Sequence, residues 1–216
     1  MNIDFARQQM VNQQVRGWNV YDEDVLSALR ELPRERFVPS GFETLAFADT
    51  EIAIGHGQHM MTPTVEGRVL QALHLKGDER VLEVGTGSGF LTACLARLAA
   101  SVTSIDIYDD FLEAAAHKLE SRGIGNANLL KMDATQELPE GNFDAIAVTG
   151  SVQFFDPRFV EALNPHGKLF VVVGDAPAMQ AKLIERTNEN DWQSISLFET
   201  TLAPLVNGAL PPQFSF

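Results

Sequence analysis

Three glycines at alternate positions, Gly85, Gly87 and Gly89, interrupt an otherwise apolar stretch between Val81 and Ala100. Ahead of them, Arg80-Val81-Leu82-Glu83-Val84 is short and rich in apolar residues; behind them, Phe90 to Ala100 is apolar and helix-forming. The pattern predicts a strand, a tight turn and a helix. Glycine at such a turn lets the backbone bend sharply and lets a ligand approach with no Cβ in the way. The helix that follows aims unpaired N–H groups and the positive end of its dipole at the same place.

From Thr64 onward, helical and strand-like segments alternate. A helix is expected from Val65 to about Leu75, with Thr62 as its cap and Pro63 opening it. The strand Val81–Val84, the helix Phe90–Ala100, the strand Ser101–Ile105 and a helix from Asp110 to Arg122 follow, with Asp110 read as the cap and Gly123 as the stop. Asn128–Lys131, Phe143–Val148, Leu169–Val173 and Ile195–Glu199 read as strands, and Asp156–Leu163 and Ala178–Asn190 as intervening helices. This alternation predicts an α/β fold: a doubly wound, mostly parallel sheet with helices on both faces. Residues 1–64 break the alternation and are expected to form a helical and loop cap with an acceptor-site loop. Residues 65–200 make the α/β core, and 201–216 an extended C-terminal segment, all within one domain.

Ligands of such a sheet lie outside the carboxyl ends of the strands, at the switch point. The second strand ends at Asp106, placed to accept hydrogen bonds from two ribose hydroxyls. The third ends near Asp133, beside Met132 and Ala134, where an adenine amino group would lie. The fourth ends at Thr149-Gly150-Ser151. A nicotinamide site would need Gly-x-Gly-x-x-Gly, and its third glycine is Phe90 here. The Gly-x-Gly-x-Gly turn preceded by Glu83 is similar instead to the first motif of S-adenosylmethionine (SAM)-dependent methyltransferases.

Composition narrows the partners. With 216 residues and 45% hydrophobic content the chain can bury one good core. Its single cysteine, Cys94, forbids an intrachain disulfide and fits a reducing, cytoplasmic setting. A formal charge of −13 with scattered Lys and Arg argues against nucleic acid and anionic membranes. No 18-residue apolar run is present, and the Gln-rich start of the chain lacks the apolar core of a signal peptide.

Five segments in order resemble the protein-L-isoaspartate O-methyltransferase family. They are Glu35-Arg36-Phe37-Val38-Pro39, Ile54-Gly55-His56-Gly57-Gln58 with Pro63, the glycine motif Val81–Thr92, Phe143–Thr149, and Ala203-Pro204-Leu205-Val206-Asn207-Gly208. The resemblance implies methylation of the α-carboxylate of isoaspartyl residues in damaged proteins, a cytosolic repair reaction. It implies a SAM site built from Glu83, Gly85, Thr86, Gly87, Ser88, Gly89, Asp106, Ile107, Asp133, Ala134 and Thr149. The acceptor would meet His56, Gln58, Met60, Ala203, Pro204 and Leu205.

The chain departs from that pattern where the acceptor binds. In the family the loop reads Gly-Gln-Thr-Ile-Ser, and the serine stands beside the methyl acceptor. Here Met61 takes its place, and a thioether donates no hydrogen bond. Thr62 and His59 are the nearby groups able to replace it, so Met61, Thr62 and His59 are the candidate catalytic positions. His56 and His59 are spaced as His-x-x-His, but with no cysteine or further histidine nearby no metal is expected. Another small or peptide acceptor, or SAM binding without turnover, are the alternatives. A serine restored at position 61 is expected to raise transfer to an isoaspartyl peptide. Asp106→Ala is expected to weaken SAM roughly ten- to a hundredfold, the loss of a charge-assisted bond, as calorimetry would measure.

Overall fold

A computed structural model describes residues 2–189 and 191–208. The cap comes first. Helix α1 (Ile3–Gln9) passes through a wide turn at Met10–Val15 to α2 (Glu23–Glu31), whose first turn is capped by the Asp22 carboxylate. Short turns at Arg34–Arg36 and Leu45–Phe47 lead to a hairpin, β1 (Ile52–Gly55) and β2 (Gln58–Met60). Helix α3 (Pro63–Leu73) opens as the sequence predicts: Thr62 Oγ1 accepts the Val65 N–H and proline fills the first helical position.

The core then alternates: β3 (Arg80–Val84), α4 (Phe90–Leu98), β4 (Ser101–Asp106), α5 (Asp109–Glu120), β5 (Ala127–Lys131), β6 (Phe143–Val152), α6 (Arg158–Glu161), β7 (Leu163–Asp175), β8 (Ala178–Arg186) and β9 (Trp192–Glu199). The seven strands lie in the order β5-β4-β3-β6-β7-β8-β9. The first five in that order run parallel, and β8 and β9 are antiparallel. The order in which strands are added reverses between β3 and β6, so the crevice at their carboxyl ends is the switch point.

Alternation along the strands sends side chains to two separate cores. Val81, Val102, Ala147 and Phe170 pack with Leu29, Leu70 and Leu95 of α2, α3 and α4. Leu82, Ile105, Ile146 and Val171 face the other way and meet Phe159 and Val160 of α6. Met10, Val15 and Leu26 of the cap belong to the first of these cores, so the cap is packed into it.

Three expectations need correcting. Residues 178–186 form strand β8, not a helix, because Asp175 pairs with Ala178 across a two-residue turn and the chain must return antiparallel along β7. Met179 and Ala181 bury in the first core and Ile184 in the second; Asn190 lies outside the described residues. The helix expected over Asp156–Leu163 shrinks to Arg158–Glu161, since Leu163 already begins β7. Helices therefore cover the second face far more thinly than the first. Asp110 sits inside the first turn of α5, which Tyr108 precedes, and caps nothing. Of the expected extended tail, residues 209–216 lie outside the described residues.

Arg34 fastens cap to core. Fully buried, it donates from Nε and Nη2 to the Glu66 carboxylate of α3 at 2.9 and 3.3 Å. Its remaining bonds go to the carbonyls of Ala46 at 2.8 Å and Met61 at 2.6 Å. Removing one partner of a buried pair leaves an uncompensated charge, which costs about 3–5 kcal/mol. Arg34→Ala should therefore lower the free energy of urea unfolding by about that amount. The apolar double variant Arg34→Met/Glu66→Leu should recover much of the loss. A loss below about 1 kcal/mol, the level of an exposed pair, would contradict this placement.

Candidate active site

The carboxyl ends of β3, β4 and β6 open into a cleft, the usual place for a ligand of such a sheet. One wall is the glycine turn. Gly85 has φ +99°, and a Cβ there would lie 2.3 Å from Thr149 Oγ1, so no other residue fits. Gly87 has φ +49° and donates its N–H to Asp106 Oδ2 at 2.9 Å. Asp106 Oδ1 accepts the Tyr108 N–H at 3.0 Å. One carboxylate thus ties the glycine turn to the segment after β4, at the mouth where a ligand would meet it. Burial raises the Asp106 pKa, against the pull of these N–H bonds.

The far wall is a strap from the C-terminal segment. Ser151 N–H bonds the Ala203 carbonyl and Leu205 N–H bonds the Ser151 carbonyl, both at 2.9 Å, laying residues 203–205 along the end of β6. A Cβ at Gly150 would come within 2.8 Å of the Leu205 side chain, which explains the small residue there. Asn207 closes the strap by donating to Asp133 Oδ2 at 2.9 Å. Asp133 Oδ1 takes both the N–H and the hydroxyl of Thr135. Partial burial opposes ionisation of Asp133, but the Thr135 and Asn207 bonds and the nearby Arg158 outweigh it and hold its pKa below the ordinary value.

The cleft gathers Gly85, Gly87, Asp106, Ile107, Asp133, Ala134 and Thr149 from the cofactor set, Gln58, Ala203, Pro204 and Leu205 from the acceptor set, and His59 from the catalytic candidates. Other predicted residues stand behind its surface. Glu83 is buried, its Oε2 accepting the hydroxyls of Thr92 and Ser104, and Ser104 in turn meets Thr86 at 2.6 Å. Ser88 Oγ accepts the Phe90 N–H, and Gly89 lies against Ala115 of α5. The Thr149 hydroxyl is directed at the Val84 and Gly85 carbonyls.

The acceptor side differs from the expectation most at the methionines. Met60 and Met61 are buried in the first core and do not line the cleft. Arg34 holds the Met61 carbonyl, and Thr62 is occupied with α3 and with the Thr64 hydroxyl at 2.9 Å. His56 stands at the hairpin turn, outside the cleft, against Tyr108 and Asp110. Of the candidate catalytic positions, His59 alone faces the cleft. Sequence reasoning missed Tyr108 and Phe111, which form its apolar walls together with Ile54 and Met132. Of the two, only Tyr108, close to a strand-end carboxylate, carried a positional signal. Among the described residues, no group of three or more His, Cys, Asp or Glu side chains is arranged to hold a metal ion.

The family profile described as protein-L-isoaspartate(D-aspartate) O-methyltransferase matches residues 6–210. The chain belongs to this family. A protein-L-isoaspartate O-methyltransferase 2 of Pelobacter propionicus is 33% identical over 207 residues, 95% of this chain and 92% of its own. A protein-L-isoaspartate O-methyltransferase of Opitutus terrae is 39% identical over 184 residues, 84% of this chain and 79% of its own. A Plasmodium falciparum structure assigned to the same family, in complex with S-adenosyl-L-homocysteine (SAH), superposes with a TM-score of 0.79. It covers 92% of this chain and 97% of its own at 21% identity, a likeness of fold.

Glu83 makes the family's glycine motif pH-sensitive in this chain. Burial pushes its carboxyl from 4.5 up to about 8, against the hydroxyls of Ser104 and Thr92, and Oε1 meets no hydrogen-bond partner. Between those two values the folded protein holds a proton that the unfolded chain has released, so stability falls as pH rises across the window. Unfolding free energies at pH 5.5 and 8 should show the native protein losing stability relative to Glu83→Gln, by at most about 1.4 kcal/mol per pH unit. A pH-independent difference would contradict a protonated Glu83.

Proposed function

We propose that this chain is a SAM-dependent methyltransferase that methylates the free carboxylate of isoaspartyl residues in proteins and peptides, acting in the cytoplasm. The observation that carries the reading is the cradle of Gly85, Gly87 and Asp106, set in one cleft with His59 and the 203–205 strap. The fit to the cofactor is chemical as well as steric. None of the described residues lining the cleft is Lys or Arg, and its carboxylates are Glu51, Asp106 and Asp133. Such a lining tolerates a sulfonium cation and offers acceptors to ribose and adenine donors. Glu83, Thr86, Ser88 and Gly89 shape and brace the turn from behind, and Thr149 braces it from the cleft side.

SAM, when bound, supplies a methyl group on a sulfonium for displacement by an oxygen nucleophile. The isoaspartyl carboxylate is already an anion near neutrality, so this chain need not remove a proton from it. The protein's task is to hold the two reactants in line and dry, which can contribute about 7–11 kcal/mol. Asp106 and Asp133 fix the donor's nucleoside half. His59 and Gln58, on the hairpin, are the cleft-facing donors available to the acceptor, while Ala203, Pro204 and Leu205 close over it. The buried cysteine Cys94 takes no part, its thiol pKa raised well above the ordinary value by burial. Among the described residues no helix is long and apolar enough to cross a membrane. The net charge of −13 also speaks against nucleic-acid partners.

Transfer of labelled methyl from SAM to an isoaspartyl peptide, with the aspartyl isomer as control, tests the reading. Label should enter the isoaspartyl peptide alone and leave with mild base. Label entering only other components of a cell extract would establish a different acceptor, and no transfer at all would leave a binding protein. Within that assay His59→Ala should lower kcat about ten- to a hundredfold, the worth of one charge-assisted hydrogen bond, with SAH affinity unchanged. Because the Met61 side chain faces the core, Met61→Ser should bring no gain in rate, reversing the expectation from sequence. A clear gain would return position 61 to the acceptor site.

A further inference from the structure

The hairpin that carries Gln58 and His59 is fastened at its tip by contacts that the transfer reaction itself does not use. Its two-residue turn, His56–Gly57, has φ of +51° and +69°, the combination that closes a tight hairpin. A left-handed backbone is disfavoured for a residue with a Cβ, so something must hold His56 there. The histidine ring lies flat on Tyr108, with centroids 3.9 Å apart and planes 10° from parallel, and edge-on to Phe111 at 5.2 Å. Its Nε2 lies 2.9 and 3.1 Å from the two oxygens of Asp110. The bond to His56 holds the Asp110 carboxyl below its ordinary pKa. The neighbouring Asp109 is engaged by Lys131 instead.

Each of these contacts leads to the cofactor cradle. Tyr108 and Phe111 line the cleft, and the Tyr108 N–H is one of the two that grip Asp106. On the hairpin's other flank, Ile54 Cδ1 sits 3.1 Å from where a Gly87 Cβ would be. The hairpin is therefore pinned to the glycine turn on one side and to the start of α5 on the other, with Gln58 and His59 between. The His56 and Asp110 side chains are 39% and 65% exposed, so this second pin can release without opening the core.

We propose that His56 and Asp110 form a clasp that holds the β1–β2 hairpin against the nucleoside side of the cleft. They are positioning residues for cofactor retention. The proposal rests on the methyl-donor reading above. An exposed side-chain contact of this kind contributes little to global stability, so its effect falls on the local opening of the hairpin and hence on ligand release.

The test uses SAH, with calorimetry for affinity and displacement kinetics for release, on the intact protein and on His56→Ala, Asp110→Asn and the double variant. Each single substitution should raise the Kd for SAH about three- to tenfold, mostly through faster release. The double variant should be no weaker than the weaker single, because both remove the same clasp. His56→Phe keeps a stacking ring without the bond to Asp110 and should behave like Asp110→Asn. Melting temperatures of the unliganded proteins should agree, and in turnover KM for SAM should rise without a fall in kcat. Unchanged SAH affinity in both single variants, or a double variant equal to the product of the singles, would overturn the clasp. A native protein that binds no SAH would overturn the methyl-donor reading instead.

Discussion

Arg34 is where the acceptor half of the molecule is held to the cofactor half. It is fully buried, and its guanidinium serves the Glu66 carboxylate of α3, the Ala46 carbonyl of the cap and the Met61 carbonyl at the exit of the hairpin. Its plane also lies 5.4 Å from the ring centre of Phe90, the first residue of the helix after the glycine turn. Four segments remote in sequence thus converge on one planar donor group. Burial raises the Glu66 pKa and the Arg34 charge opposes that rise, so neither side chain is comfortable alone. A buried pair of this kind contributes little net stability against an apolar substitute. What it supplies here is position: it sets where the hairpin ends relative to the turn that would bind SAM.

That constraint accounts for the altered acceptor loop. With its carbonyl drawn to Arg34 at 2.6 Å, Met61 turns its side chain into the core beside Met60. The loss of the family's serine therefore does not fill the cleft with thioethers, as reading the loop alone would suggest. His59, two residues earlier on the strand that faces the cleft, is the polar side chain we propose for the acceptor in its place. The alternative of a binding protein without turnover has no geometric feature in its favour.

Much of this architecture was legible from the sequence, and the parts that were not share a cause. The glycine turn, Asp106 and Asp133 sit at strand ends, where local pattern and topology agree. The Thr62–Pro63 helix start was likewise a local matter. Strand β8 was not legible, because Met179 and Leu183, four residues apart, and Ala181 and Ile184, three apart, suit a helix as readily as a strand, and the two-residue return at Asp175–Ala178 decided between them. The buried direction of Met61 was hidden for the same reason: it depends on Arg34, 27 residues away in the chain. Asp110 read as a helix cap, and only the fold brings His56 to it across 54 residues.

A crystal structure of the protein with SAH and a short isoaspartyl peptide would test the account most directly. The account predicts Asp106 against the ribose hydroxyls, the peptide's free carboxylate hydrogen-bonded to His59 under the 203–205 strap, and the Met61 side chain still in the core beside Arg34. A peptide carboxylate seated against Met61, with His59 turned to solvent, would contradict it.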